Sequence, residues 1–523
     1  MPDQPVGATS TEAPSAERTT DPKWWTLAAV CLGVFMLLLD ITIVNVALPD
    51  IQSELSASLS DLQWVIDAYA LSLAALLLTA GSLSDLYGRR RIFVIGTVLF
   101  TIGSVACGLA QSITVLTVSR AFQGIGGAAM FATALALLAS AFHGKDRGTA
   151  FGVFGATTGV AVAVGPVLGG VLTSGLSWRW IFFVNVPLCL VAIAVSLTKV
   201  RESHDPRAGR PDWVGFVVFT AALACLVYGL IEAGQDGWTQ PTVVVCLVAA
   251  AVLLALFVVS QMVQQHPMFD LGLLRKPTFT GGLIAAFGVS ASIFSLLTFL
   301  VIYVQNVLGY SPIGTGIRFL FLSGASFVAA AVAGRLSERV PVKWLIGPGF
   351  LVLGVGLLLL RGIETTSSWT HLIPGLLVSG IGIGMINPPL ASTAVGVVSV
   401  DRSGMASGVN STLRQVGIAT GIAALGSIFS QQVADSARSG LQGKVPPGAL
   451  DGLTSALSGG QVSAAAQAAR ARAGQRGYDL VHQVGTSSVV DALNHIIAIS
   501  VVIAFVTGVL TLFLIRQKDF VQR

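Results

Sequence analysis

Two acidic side chains stand inside apolar runs of membrane-spanning length. Asp40 lies in Phe35-Met36-Leu37-Leu38-Leu39-Asp40-Ile41-Thr42-Ile43-Val44-Asn45, and Asp67 in Trp64-Val65-Ile66-Asp67-Ala68-Tyr69. An ionised aspartate at the centre of a membrane helix costs about 2.5–3.5 kcal/mol on insertion scales, so each needs a partner, a water-filled cavity or a proton. A buried carboxyl that trades its proton near neutral pH is what proton coupling requires. One buried base is available: Arg120, in Leu116-Thr117-Val118-Ser119-Arg120-Ala121-Phe122-Gln123. Asp40 then has two readings, a proton site or the permanent partner of Arg120, and the two are compatible. Asp67, towards the outer end of its run, fits a proton site, a contact for cationic substrates or an entrance charge. Asn45, Tyr69, Gln123 and Asn387 are the polar side chains expected to contact substrate beside it. Arg318 and Arg414 are the later bases in apolar runs and read as packing or snorkelling groups.

Glycine supplies the second signal. Gly155, Gly159, Gly165, Pro166, Gly169 and Gly170 fall in one run, where small residues allow helices to approach closely and proline permits a bend. Gly124, Gly126 and Gly127 imitate a nucleotide loop but lie inside a membrane run, which excludes that reading. No Walker-type lysine occurs, which argues against ATP as the energy source. The five cysteines, Cys31, Cys107, Cys189, Cys225 and Cys246, lack metal-ligand spacing and read as small core residues. No cofactor or metal is expected.

These residues need helices to hold them. The chain is 54% hydrophobic and only 11% charged, too little charge to solvate 523 residues outside a membrane. Apolar stretches long enough to span a bilayer recur about fourteen times, giving an all-α integral membrane protein. An even count puts both termini on one face. Arg89, Arg90, Arg91, Lys145, Arg147, Lys199, Arg201, Arg275, Lys276, Arg335 and Arg339 follow alternate spans, so positive-inside places that face in the cytoplasm of the cell (inner) membrane. The net charge of +5 is therefore a topology signal and not a nucleic-acid footprint. The polar first residues lack the apolar core of a cleaved signal, so the first span is expected to serve as an anchor.

A weak internal repeat relates the two parts of the chain. Gly81-Ser82-Leu83-Ser84-Asp85-Leu86-Tyr87-Gly88-Arg89-Arg90 echoes Gly334-Arg335-Leu336-Ser337-Glu338-Arg339-Val340-Pro341-Val342-Lys343, and Asp146-Arg147 echoes Asp401-Arg402. The expected organisation is a cytoplasmic tail over 1–24 and an N-terminal six-helix half over 25–198. An inserted helix pair over 212–261 and a parallel C-terminal half over 278–515 follow, then a tail over 516–523. Residues 431–490, rich in Ala, Ser, Gly and Gln, are expected as an extracytoplasmic loop or a small helical cap.

Taken together the motifs resemble the major facilitator superfamily, in particular its fourteen-span drug/proton antiporters of the EmrB/QacA type, over roughly Trp25 to Gln517. The stretch Gly81 to Arg91 is similar to that superfamily's cytoplasmic loop motif. The resemblance implies that Gly81 and Gly88 allow close helix approach, while Asp85, Arg89 and Arg90 gate the inner face. Arg120 with Gln123-Gly124 resembles the span-four motif implicated in proton transfer, and Gly155 to Gly170 the motif of exporters. Leu39-Asp40 through Leu48-Pro49 and Trp178-Arg179-Trp180 through Pro187 are further marks of the fourteen-span group. Asp67 departs from many members and tilts the expected substrates towards lipophilic cations.

The resemblance implies a proton-coupled multidrug efflux transporter, not an enzyme, working by alternating access as a monomer. Its partners would be the bilayer, protons and a drug-like small molecule, with no nucleic acid. Abundant alanine and more arginine than lysine point to a high-GC bacterium. Two alternatives share most of these residues: a proton-coupled metabolite transporter, and a membrane sensor or scaffold that moves nothing.

Overall fold

Apolar runs of this length satisfy their backbone groups in lipid as helices, and the chain is helical throughout its described spans. The computed structural model describes residues 22–142, 145–204, 211–265, 267–337, 339–398 and 403–520. Its first part comprises α1 (Pro22–Glu54), α2 (Leu59–Tyr87), α3 (Arg89–Gly108), α4 (Ile113–Ala141), α5 (Lys145–Gly175), α6 (Trp180–Phe183) and α7 (Asn185–Lys199). Next come α8 (Trp213–Asp236) and α9 (Pro241–Val263). The last part comprises α10 (Pro277–Val289), α11 (Ser295–Ile302), α12 (Pro312–Leu336), α13 (Lys343–Leu360), α14 (Leu372–Gly396), α15 (Ser403–Leu441), α16 (Pro447–Ser458) and α17 (Val462–Leu514).

Thirteen helical segments among the described residues are long and apolar enough to cross a bilayer, α6–α7 and α10–α11 each forming one crossing. The glycine-rich α5, 31 residues long, is long enough for a fourteenth traverse and is counted as one here. Both described chain ends therefore lie on one face, called proximal here; the other is distal. Within the crossing made by α10 and α11, π-helical turns at Ser290–Phe294 and Tyr303–Val307 shift the register of the side chains.

Two apolar cores follow the two parts of the chain. Val34, Leu37, Phe93, Phe100, Met130 and Cys189 belong to one, contributed by α1 to α7. Ile293, Phe299, Phe350, Leu357, Phe429 and Ile497 belong to the other. Helix α8 packs against α2 and α15, so the inserted pair flanks the line where the two parts meet. Its start is fixed by Asp212, which accepts from the Gly215 N–H at 2.6 Å and from Gln261 of α9 at 2.6 Å.

Glycine sets the helix spacing at a few points. A Cβ on Gly126 would meet the backbone N of Phe100 and lie 2.7 Å from the Gly96 carbonyl, so α3 and α4 touch backbone to backbone. On the distal side, a Cβ on Gly169 would lie 2.9 Å from Ile43 of α1, and one on Gly170 would lie 2.6 Å from Ile313 of α12. The glycine run of α5 is thus the seam where the two parts close on each other. Ser174 accepts there from the Ile313 N–H at 3.1 Å, and Gln305 donates to the Val46 carbonyl at 2.8 Å. Gly155 and Gly159 belong to the same helix, and their surroundings lie outside the described residues.

The proximal face is different. Among the described residues, a Cβ on Gly81, or on its repeat counterpart Gly334, would meet nothing within 4 Å. The close approach expected at Gly81 is not made by the described residues there, although one turn deeper a Cβ on Gly408 of α15 would lie 3.0 Å from Leu78 of α2. At Gly88 no helix approaches, and glycine is required by the turn instead: its φ is 110°, and a Cβ would lie 2.7 Å from the Glu202 carboxyl. Glu202 accepts from the N–H groups of Arg90 (2.9 Å) and Arg91 (3.2 Å) at the start of α3, while Arg89 forks onto Asp85. Glu338, Asp401 and Arg402 of the repeat, and the tail residues before Pro22, lie outside the described residues.

The segment 431–490 is largely helical instead of a loop. Helix α15 runs on to Leu441, α16 follows, and α17 starts at Val462 and bends at Gly474 (φ 64°, ψ −156°). Val433, Leu441, Leu457, Val462, Ala466 and Val481 are buried together there, and it is this apolar stripe, diluted by Ala, Ser and Gln in sequence, that folds the cap. Gln52 of α1 donates to the Gly459 carbonyl of the cap at 3.0 Å.

Substituting Gly126→Val is expected to cost about 1–3 kcal/mol or more by overpacking and to lower the melting temperature of the purified protein in detergent. An unchanged melting temperature would show that α3 and α4 are not in backbone contact.

Candidate functional site

Helix α1 carries both halves of the site, on different faces. Asp40 points into the bundle formed by α1, α3, α4 and α7, and its carboxylate is wholly enclosed. Oδ2 accepts from Arg120 Nη1 at 2.5 Å; Oδ1 accepts from Gln123 at 3.0 Å and from Asn185 at 3.3 Å. Arg120, 1% exposed, also donates to the Gln123 side-chain carbonyl at 2.7 Å and to the Val65 backbone carbonyl at 3.2 Å. The Tyr69 ring lies 4.1 Å beneath the guanidinium, and Ser104 accepts from Gln123 at 2.7 Å. Every contact to Asp40 is a donor, which suits an ionised carboxylate.

Sequence spacing explains part of this. Arg120 and Gln123 are three residues apart and share a face of α4, so the same face serves both oxygens of Asp40. Asn185 and Ser104 were not foreseen; Asn185 lies in the aromatic Trp178–Pro187 stretch, whose sequence signal was a motif match and not a polar pattern.

The neighbours of Asp40 on α1 turn towards a cavity between the two parts. Ile41, Thr42, Asn45 and Val46 line it, with Ile66, Pro166, Phe294, Leu297, Phe319, Ser323, Ile383, Ile418 and Ile422 among its other walls. Its free space is about 60 Å³, room for a few waters, so a drug-sized molecule enters only when the walls move apart. Its lining is mostly apolar. Asn45 is the expected contact residue that reaches it, and its side-chain carbonyl accepts from Thr298 at 3.3 Å. Tyr69 and Gln123 go instead to the Asp40–Arg120 cluster.

Asp67 goes elsewhere again. It falls between Trp64 and Leu71 on the face of α2 that packs against Val227 and Ile231 of α8 and Ala419 and Ala423 of α15. It is 0% exposed, and among the described residues neither carboxyl oxygen has a hydrogen-bond partner. A charge there has nothing to balance it, and Asp67 is not among the residues that line the cavity. Asn387 accepts from Arg414 Nη2 in the C-terminal part.

Removing one member of a buried ion pair strands the other, at about 3–5 kcal/mol, whereas removing both is far cheaper. Asp40→Ala and Arg120→Ala are each expected to lower thermal stability strongly, and the double substitution by clearly less than their sum. Additive losses would show that the two charges do not stabilise each other.

Comparison with known proteins agrees with this architecture. The family model described as Major Facilitator Superfamily matches residues 30–422. The chain is 40% identical over 422 residues to the multidrug resistance protein Stp of Mycobacterium tuberculosis, covering 80% of this chain and 78% of the relative. It is 35% identical to the puromycin resistance protein pur8 of Streptomyces alboniger, over 81% of this chain and 85% of that protein. For the tetracenomycin C resistance and export protein of Streptomyces glaucescens the identity is 33%, over 83% and 80%. Among solved structures, a bacterial homologue of the human lysosomal transporter Spinster, in an inward-facing and unoccupied conformation, superposes with a TM-score of 0.60 at 19% identity, covering 96% of this chain and 99% of that one. That likeness concerns the fold alone. With a model match across most of its length and relatives this similar over about four fifths of it, the chain belongs to the Major Facilitator Superfamily.

Proposed function

We propose that this multi-pass membrane protein is an efflux transporter that exchanges a lipophilic drug-like molecule for protons across the cytoplasmic membrane, both termini lying in the cytoplasm. The observation that carries the reading is the placement of Asp40. It is buried and paired, and Ile41 and Thr42, the next two residues, line the apolar cavity between the two halves. The multidrug resistance, puromycin resistance and tetracenomycin export relatives support efflux as the direction of transport.

The proximal face is then cytoplasmic. Closure along the α5 seam and the open space beside Gly81 and Gly334 among the described residues suit a state that receives substrate from inside. Apolar walls recruit a lipophilic molecule from the inner leaflet or cytosol through burial of its surface. Rocking of the halves would break the distal seam, including the contacts of Gln305 with Val46 and Ser174 with Ile313. As α1 moves, Asp40 exchanges the Arg120 contact for a proton, and return of the halves delivers that proton to the cytoplasm. Arg120 keeps the vacated site from holding an unbalanced carboxylate. No cofactor is needed, because the proton gradient supplies the work.

In everted vesicles with an acidified lumen, adding a transported antibiotic is expected to collapse part of the pH gradient, read by recovery of acridine-dye fluorescence. Asp40→Asn should abolish that recovery. No recovery with the native protein across a drug panel, or full recovery in Asp40→Asn, would refute proton-coupled efflux through this residue.

A further inference from the structure

We infer that the C-terminal half holds an anion-binding subsite, formed by Arg414 and Asn387, and that the preferred substrates are lipophilic organic anions. The inference rests on the efflux reading and names the substrate class of the same cavity.

The placement follows from helical register. Ile383 and Ile418 line the cavity. Asn387 is four residues beyond Ile383 on α14, and Arg414 is four residues before Ile418 on α15, so each lies one turn away on the same face. Helices α14 and α15 run in opposite directions, so both steps lead towards the proximal face. The two side chains meet there, Arg414 Nη2 donating to the Asn387 carbonyl oxygen. Neither side chain lines the cavity as it stands; they lie one turn beyond its apolar walls and become its polar floor when those walls move apart.

The charge of that floor is unanswered. Arg120 in the N-terminal half faces Asp40, but among the described residues no carboxylate pairs with Arg414, and Asn387 is its one hydrogen-bond partner. Arg414 lies eleven residues into α15, roughly 16 Å along the axis from Ser403, too deep to reach the proximal surface by snorkelling. Arg318, the other guanidinium within an apolar run of this half, is stacked over Tyr310 at 3.5 Å and Trp369 at 4.7 Å at the distal end of α12. Asp67 lies on the face of α2 turned to α8 and α15. A guanidinium carries a planar fork of donors matched to a carboxylate, phenolate or enolate. Such a group seated on Arg414, with its apolar body against Phe294, Leu297, Phe319 and Ile422, uses both surfaces. This reverses the preference for cations that Asp67 suggests in the sequence.

The test uses the full chain in lipid nanodiscs and two xanthene dyes of similar shape and opposite charge, fluorescein and rhodamine 6G, titrated by fluorescence anisotropy. The native protein should bind fluorescein more tightly than rhodamine 6G. Arg414→Gln should weaken fluorescein roughly tenfold or more and rhodamine 6G less than about twofold, with Arg414→Lys recovering part of the loss. Equal weakening of both dyes, no effect on fluorescein, or a native preference for rhodamine 6G would overturn the anion subsite while leaving efflux intact. Absence of binding to either dye, together with absence of proton-linked efflux, would remove the subsite and the transporter reading alike.

Discussion

Placing Asp40 and Arg120 inside a helical bundle takes two full charges out of water, and the N-terminal half is arranged around keeping them together. Asp40 has four polar side chains within reach of its carboxylate network, Arg120, Gln123, Asn185 and Ser104, drawn from α3, α4 and α7. The Tyr69 ring closes the guanidinium from the side of α2. Apolar replacements of similar volume often stabilise a protein as much as a buried ion pair does, so stability alone does not account for this cluster. A carboxylate held by donors that move with their helices is, by contrast, a device that responds to helix motion.

The rest of the architecture supplies that motion. The glycine run of α5 lets α1 and α12 come within backbone contact on the distal side, while Gly81 and Gly334 face open space on the other. A contact that tight is formed or broken and has little intermediate range, which makes the two halves bistable and not continuously deformable. Asp40 and the cavity-lining Ile41 and Thr42 are consecutive on α1, so movement of α1 at the seam changes the cavity and the ion pair at once. The helical cap over 431–490 ties into the same face through Gln52.

Much of this was legible in the residues. Apolar runs gave the traverses, arginine placement gave a sidedness, and Asp40 and Arg120 could be joined from the residues alone because each is costly alone in lipid, whereas Gln123 and Tyr69 were expected at the substrate. Other parts were not legible. The walls of the cavity are isoleucine, leucine and phenylalanine, and nothing distinguishes Ile383 or Phe294 from a lipid-facing residue until packing is known. Asp67 reads like Asp40 in sequence, yet the inserted pair covers it, and the inserted pair's docking side has no local signature. Residues 431–490 resemble a solvated loop because their buried stripe is spaced among alanines and serines. Glu202 was missed as the partner of Gly88 because the two are far apart in sequence.

The claim on which the account turns is that Asp40 takes up a proton when substrate drives the halves apart. Infrared difference spectroscopy of the reconstituted protein, recorded at constant pH on addition of a transported compound, measures this directly. The account predicts a protonated-carboxyl band that changes with substrate in the native protein and vanishes in Asp40→Asn. A spectrum without such a band, or one that persists unchanged in Asp40→Asn, would contradict it.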